Sequence, residues 1–183
     1  MKAWMLLWLF FLAAQVIADS EVQTKQGRVL PLGTLVSGVV AEVKVQEGQQ
    51  VKAGEELLIL DQREFRARLN RAHAVASRAD ALFAEALREE ERARELYDQG
   101  LLSDHELQKA QIGRLEAEAR KAEAAEEALQ SQLDLERSHV RAPLAGRIVE
   151  VRAWKGQPVQ NALNIQTLVV LKVAGTPDRE SAP

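Results

Sequence analysis

The chain has 183 residues, a formal net charge of −3, no cysteine and few aromatic residues (3 Trp, 1 Tyr, 4 Phe). The lack of cysteine excludes disulfides, thiolate metal sites, a cysteine nucleophile and a cysteine-linked lipid anchor, and the acidic balance is no footprint for nucleic acid. Aromatic side chains bury the most area per residue, and Trp4, Trp8, Phe10 and Phe11 all fall at the extreme amino terminus, so an extended body is expected after it rather than one large core.

Residues 1–18 have the layout of a secretory signal peptide: Lys2, an unbroken apolar run from Ala3 to Ala14, then Val16-Ile17-Ala18 before Asp19. An uncleaved membrane anchor is the alternative. A transmembrane helix needs about 20 apolar residues, and Gln15 interrupts this run. Both readings export the rest of the chain.

Two stretches repeat at an offset of 108 residues. Gly38–Val51 reads GVVAEVKVQEGQQV and Gly146–Val159 reads GRIVEVRAWKGQPV, with Gly38/Gly146, Glu42/Glu150, Val43/Val151, Gly48/Gly156, Gln49/Gln157 and Val51/Val159 identical. Both read as strands. Val39, Ala41, Val43 and Val45 alternate with Val40, Glu42 and Lys44, the period-2 pattern of a half-buried strand. Gly48 and Gly54 mark tight turns, and Leu57-Leu58-Ile59-Leu60 reads as a short buried strand. The second copy continues through Leu168-Val169-Val170-Leu171. Short strands with glycine turns predict a small β-sandwich or barrel.

Residues 62–138 are different material, rich in alanine and charge, with no proline and only Gly100 and Gly113. Good helix formers dominate. Phe65, Leu69, Ala72, Ala76, Ala79, Phe83, Ala86, Glu90, Ala93 and Tyr97 recur at heptad spacing, and so do Ile112, Leu115, Ala119, Ala122, Glu126, Leu129 and Leu133. Sustained heptads predict two coiled-coil helices, weakened where Glu90 and Glu126 interrupt the seams. The chain should reverse near Gly100–Asp104, with Gly100 past the end of the first helix and Ser103 or Asp104 as N-cap of the second. An antiparallel hairpin returns Ser138 to Asp61, so the two repeat halves can complete one β-domain. Neither half could bury a core alone.

The residues now support a resemblance. Gly38–Asp61 and the Val140-Arg141-Ala142-Pro143-Leu144-Ala145-Gly146-Arg147-Ile148 stretch resemble the two halves of the lipoyl-like domain of periplasmic adaptor subunits. These are also called membrane fusion proteins, the HlyD-like secretion and efflux adaptors. The resemblance covers roughly residues 29–173. It implies an α+β fold: a lipoyl-like barrel-sandwich hybrid at 29–61 and 139–173, with a helical hairpin at 62–138 between its halves; the tail at 174–183 reads as disordered from its own composition. It also implies an exported, periplasmic protein. Such a protein would bridge an inner-membrane transporter of RND (proton-driven) or ABC (ATP-driven) type to an outer-membrane duct, as a homo-oligomer in the assembled complex. The family's β-barrel and membrane-proximal domains have no counterpart in this length, which makes a short form the expectation.

Many duct-docking members carry Arg, Leu and Ser at the tip, at the spacing of Arg92, Leu96 and Ser103. The acidic residue that often follows five positions after the Ser is replaced by Gln108. Leu101 and Leu102 complete the candidate docking tip, either as an exposed apolar patch or closing the turn over each other. Read without the resemblance, Arg92 is a solvated helix position, Leu96 seam packing and Ser103 an N-cap.

A lipoyl carrier needs a modified lysine on the turn joining its halves; here Leu60-Asp61-Gln62-Arg63 enters the hairpin instead, with no lysine. No cofactor is expected. His73, His105 and His139 lack metal-ligand spacing, and no nucleophile context is recognisable. The expectation is a non-enzymatic adaptor acting by protein contact. The alternative is a regulatory or scaffolding envelope protein that keeps the hairpin without transport.

Overall fold

The computed structural model describes residues 28–161 and 165–173; the expected signal peptide and disordered tail lie outside them. The elements run β1 (Arg28–Leu32), β2 (Gly38–Val43), β3 (Gln50–Val51), β4 (Glu56–Leu60), α1 (Arg63–Asp98), α2 (Asp104–Arg137), β5 (His139–Arg141), β6 (Gly146–Val151), β7 (Pro158–Val159) and β8 (Val169–Val173). Two four-stranded sheets form, in the orders β1-β8-β6-β3 and β5-β4-β2-β7.

Each sheet takes strands from both repeat halves, and the exchange is symmetric. Gly38 of β2 pairs with Val159 of β7, and Gly146 of β6 pairs with Val51 of β3. The turns obey the same symmetry. Gly48 N–H donates to the Ile148 carbonyl and Gly156 N–H to the Val40 carbonyl, each at 2.8 Å. Both glycines have positive φ, 83° and 87°, a conformation that Gly adopts without a Cβ penalty. The repeat is therefore two interlocked half-domains. Leu57, Leu58, Leu60, Ile148, Leu168 and Leu171 from both halves are fully buried between the sheets.

One expectation about β2 is corrected. The alternation places Val39, Ala41, Val43 and Val45 on one face. In the structure Val40 is buried, Val39 and Ala41 are exposed, and Val45 is buried again. The register against β4 skips between Val40 and Glu42. This is a β-bulge, and one extra residue transfers the following side chains to the other face. The second half repeats the bulge between Ile148 and Glu150, burying Ile148 and exposing Val149.

The hairpin meets the β-domain through a small, well-satisfied junction. Leu60 N–H donates to the Ser138 carbonyl at 2.9 Å, and the Thr34 hydroxyl donates to the Arg137 carbonyl at 2.7 Å. Phe65, in the first turns of α1, is buried in the β-domain core, and Leu135 packs against it from α2. Beside the junction, Glu56 gathers three partners. Lys44 Nζ donates to its Oε2 at 2.7 Å, while Arg141 Nη2 and His139 Nδ1 lie 2.8 and 2.7 Å from its Oε1. The Gln62 amide touches the other nitrogen of the His139 ring. The Lys44 hydrogen bond, followed by that of His139, holds the Glu56 carboxyl below its ordinary value.

The seam of α1 follows the heptads. Phe65, Ala72, Ala79 and Ala93 are buried, and Leu69, Ala76, Phe83, Ala86 and Glu90 are half-buried. Tyr97 is out of the seam, 38% exposed. The seam of α2 differs from the expectation. Ala117, Ala124, Ala128 and Ser131 are its buried residues. Ile112, Leu115, Ala119, Ala122, Glu126 and Leu129 are exposed, and only Leu133 is half-buried. Two heptad patterns coexist on α2, and the one with smaller side chains faces α1. Buried alanines on both helices, Ala72, Ala79 and Ala93 on α1 and Ala117, Ala124 and Ala128 on α2, let the helices approach closely. Glu90 adds a polar constraint. It is half-buried in the seam and accepts from Arg114 Nε of α2 at 2.6 Å and from Arg94 at 3.0 Å. This requires Arg114 to face inward, and it turns the expected weak point at Glu90 into a cross-helix ion pair.

Two measurements check these contacts. A Cβ at Gly146 would lie 2.5 Å from the Lys172 carbonyl oxygen, whereas one at Gly113 meets nothing within 4 Å. Gly146→Ala should lower stability by about 1–3 kcal/mol, and Gly113→Ala should raise it by about 0.5–1 kcal/mol, both read by chemical denaturation. Glu56 has a lower pKa folded than unfolded. Its contribution is therefore complete above the ordinary value of 4.5 and lost as pH falls through the lowered folded value. Glu56→Gln should be less stable than the parent at neutral pH, and the gap should close on acidification. A pH-independent gap would contradict the assignment.

Candidate functional site

The hairpin presents its tip about 54 Å from its base, taking α1 at 1.5 Å per residue over 36 residues. The chain reverses there through a capped turn. Gln99 caps α1, Gly100 follows with φ 73°, Gly100 N–H donates to the Tyr97 carbonyl and Leu101 N–H to the Leu96 carbonyl, at 2.8 and 2.9 Å. This is a Schellman closure. Ser103 is the N-cap of α2, deciding between it and Asp104. Glu106 N–H donates to Ser103 Oγ at 3.3 Å, and Ser103 N–H donates to Glu106 Oε2 at 3.1 Å, a full capping box. The Ser103 hydrogen bonds hold the Glu106 carboxyl below its usual range. Tyr97 bonds Asp104 across the turn, which raises the phenol pKa.

These bonds hold the candidate docking residues on a rigid frame. Arg92 is exposed and bridges to Glu89 at 2.7 Å on its own helix. Leu96 is 37% exposed and Leu101 is 70% exposed at the apex; Leu102 is half-buried. Arg92, Leu96 and Leu102 line one shallow cleft of about 440 Å³ between the helices, facing Glu106, Lys109 and Gly113 of α2. Leu101 and Ser103 are not part of its lining. Leu102 turns inward while Leu101 stays out, so the two leucines do not simply close over each other. The α2 wall of this cleft was not singled out from sequence. The Ser103–Glu106 spacing, Ser-x-x-Glu, was the available signal, since it marks a capping box.

Comparison with known proteins finds the same barrel-sandwich hybrid. Residues 28–169 match the family described as CzcB-like, barrel-sandwich hybrid domain. The chain is 35% identical over 119 residues to the multidrug resistance protein MdtA of Pectobacterium carotovorum, covering 64% of this chain and 28% of that one. It is 29% identical over 146 residues to the uncharacterised Escherichia coli protein YdhJ, covering 79% of this chain and 50% of that one. The membrane fusion protein Spr0693 of Streptococcus pneumoniae shares the fold, with TM-score 0.58 and 21% identity over 80% of this chain and 64% of that one. The chain belongs to the CzcB-like barrel-sandwich hybrid family. It spans half or less of the length of these two curated relatives.

Loss of the Ser103 cap should act locally. Ser103→Ala should cost about 1 kcal/mol and speed amide hydrogen exchange in the first turn of α2, leaving the β-domain strands protected. Unchanged exchange at residues 104–107 would show that the capping box does not hold the tip.

Proposed function

We propose that this chain is a periplasmic adaptor of a multi-part efflux or secretion system, linking an inner-membrane transporter of RND or ABC type to an outer-membrane duct through protein contacts, without catalysis. The hairpin tip meets the duct, and Arg92, Leu96, Leu101, Leu102 and Ser103 are its contact residues. The observation that carries this reading is an apolar apex on a capped turn: Leu101 is 70% exposed at the end of a long hairpin. A large apolar side chain held out in water without a local partner is the kind of surface that another protein covers. Arg92 and Lys109 beside the apolar cleft add polar groups that orient a partner helix. The likeness to a multidrug resistance protein supports the efflux setting. No helix among the described residues is long and apolar enough to cross a membrane, in keeping with a periplasmic body.

The chain has no native cysteine, so single cysteines report single positions. Leu101→Cys, with a short cross-linker in intact cells, should capture an outer-membrane duct protein. Ala67→Cys, exposed near the hairpin base, should not. Equal capture from both positions, or capture of no duct protein from the tip, would refute tip docking.

A further inference from the structure

His139, the one histidine outside the hairpin, sits in a bond network that fits a single protonation state. Its Nδ1 lies 2.7 Å from Glu56 Oε1. A carboxylate only accepts, so Nδ1 carries a proton. The other nitrogen, Nε2, meets the amide nitrogen of Gln62. That amide donates, so Nε2 is the bare acceptor of a neutral ring. The same amide turns its oxygen to Arg66, whose Nη2 donates at 2.6 Å, and its nitrogen donates to Ser138 Oγ at 3.3 Å. Gln62 is the N-cap of α1, and its side chain makes no cap bond. One amide therefore ties the first turn of α1 to the start of β5. From this arrangement we propose that His139 is a proton sensor at the hairpin base: a proton on Nε2 turns the Gln62 amide over and frees Arg66, which loosens the first turn of α1.

A protonated histidine donates from both nitrogens. Nε2–H then points at the N–H groups of Gln62, and a half-buried cation lacks an acceptor on that side. A half-turn of the amide gives Nε2–H the oxygen. It also presents the NH2 group to Arg66 and withdraws the donor from Ser138 Oγ. Arg66 is left without its acceptor, and the neighbouring carboxylates are engaged elsewhere. Glu56 of β4 is shared by Lys44 of β2 and Arg141 of β5. Asp61 pairs with Arg63 at the entrance to α1, Glu64 with Arg68, and Asp134 with Arg137 at the end of α2. The added charge on His139 joins Lys44 and Arg141 around one carboxylate, so it also repels Arg66. The Glu56 carboxyl is held below its ordinary value and stays ionised across the range in which a histidine gains its proton.

The α2 side of the junction keeps its bonds. Ser138 is buried, its Oγ donates to the Leu135 carbonyl at 2.6 Å, and its carbonyl accepts from Leu60 N–H. None of these needs the Gln62 amide. Acidification thus acts on one of the two chains that join the hairpin to the β-domain. The proposal does not rest on the adaptor role, and the isolated chain tests it.

The test uses the full chain with His73→Gln and His105→Gln, both at exposed helix positions, so that His139 is the only histidine. Its imidazole resonances are followed by NMR between about pH 8 and about pH 5, a range that spans histidine titration. Amide exchange protection factors, which remove the intrinsic pH dependence of exchange, are measured over the same range. Protection at Arg66–Leu69 should fall about twofold to tenfold on acidification, the size of one hydrogen bond, with the midpoint of the imidazole titration. Protection around Ala79 should not change. Gln62→Glu should reverse the sign, because a carboxylate accepts from Arg66 and from protonated His139 at once. No fall in the parent, or a fall whose midpoint departs from that of His139, would overturn the sensor. A Gln62→Glu chain that loses protection as the parent does would overturn the role of the amide.

Discussion

Everything in this molecule depends on bringing His139 back beside Leu60. Neither repeat half closes its own sheet: β3 finds its partner in β6 and β2 finds one in β7. The chain between them is long, and a flexible loop of that length would carry a closure entropy before any strand could pair. The hairpin removes most of that cost by being ordered in itself. Its two helices cohere through a continuous seam, so their ends arrive together. The buried Ser138, the Thr34–Arg137 bond and the Phe65 side chain then join the two ends to the β-domain core.

The same economy explains the composition. A coiled coil seamed by alanine needs few aromatics, because the helices approach closely and bury backbone and β-carbons. Its cost is a thin apolar interface, and polar pairs set the register. The Glu90–Arg114 pair, largely shielded in the seam, favours one alignment of α1 against α2, since any shift would leave a shielded carboxylate without its partner. Small seam residues on α2 also leave its larger Ile112, Leu115 and Leu129 outside.

At the tip, stability and exposure are reconciled by capping. The Schellman turn pairs the Leu96 and Tyr97 carbonyls, and the capping box pairs the Glu106 and Ser103 N–H groups, so the turn has its own internal bonds to hold its shape. Leu101 can then remain in water on a fixed frame, and a preorganised apolar contact loses little conformational entropy on binding. The β-domain works at the opposite end. Its symmetric bulges and close glycine contacts make a rigid base from which the hairpin projects.

The sequence by itself determined the interlocked β-domain, the position and length of the hairpin and the turn at Gly100–Ser103, because those follow from local signals: a repeat, two glycine-punctuated strand patterns and heptads bounded by caps. It also placed the seam of α1, where the large apolar residues share one face. Only the tertiary structure decided the rest. The bulges at Ala41 and Val149 exchange buried and exposed faces, and no residue type announces them, since they arise from pairing with β4 and β8. On α2 two heptad registers were available, and the larger side chains favoured the wrong one. Close approach to α1 and the need of Glu90 for Arg114 chose the other, which is a property of two helices together and of neither alone.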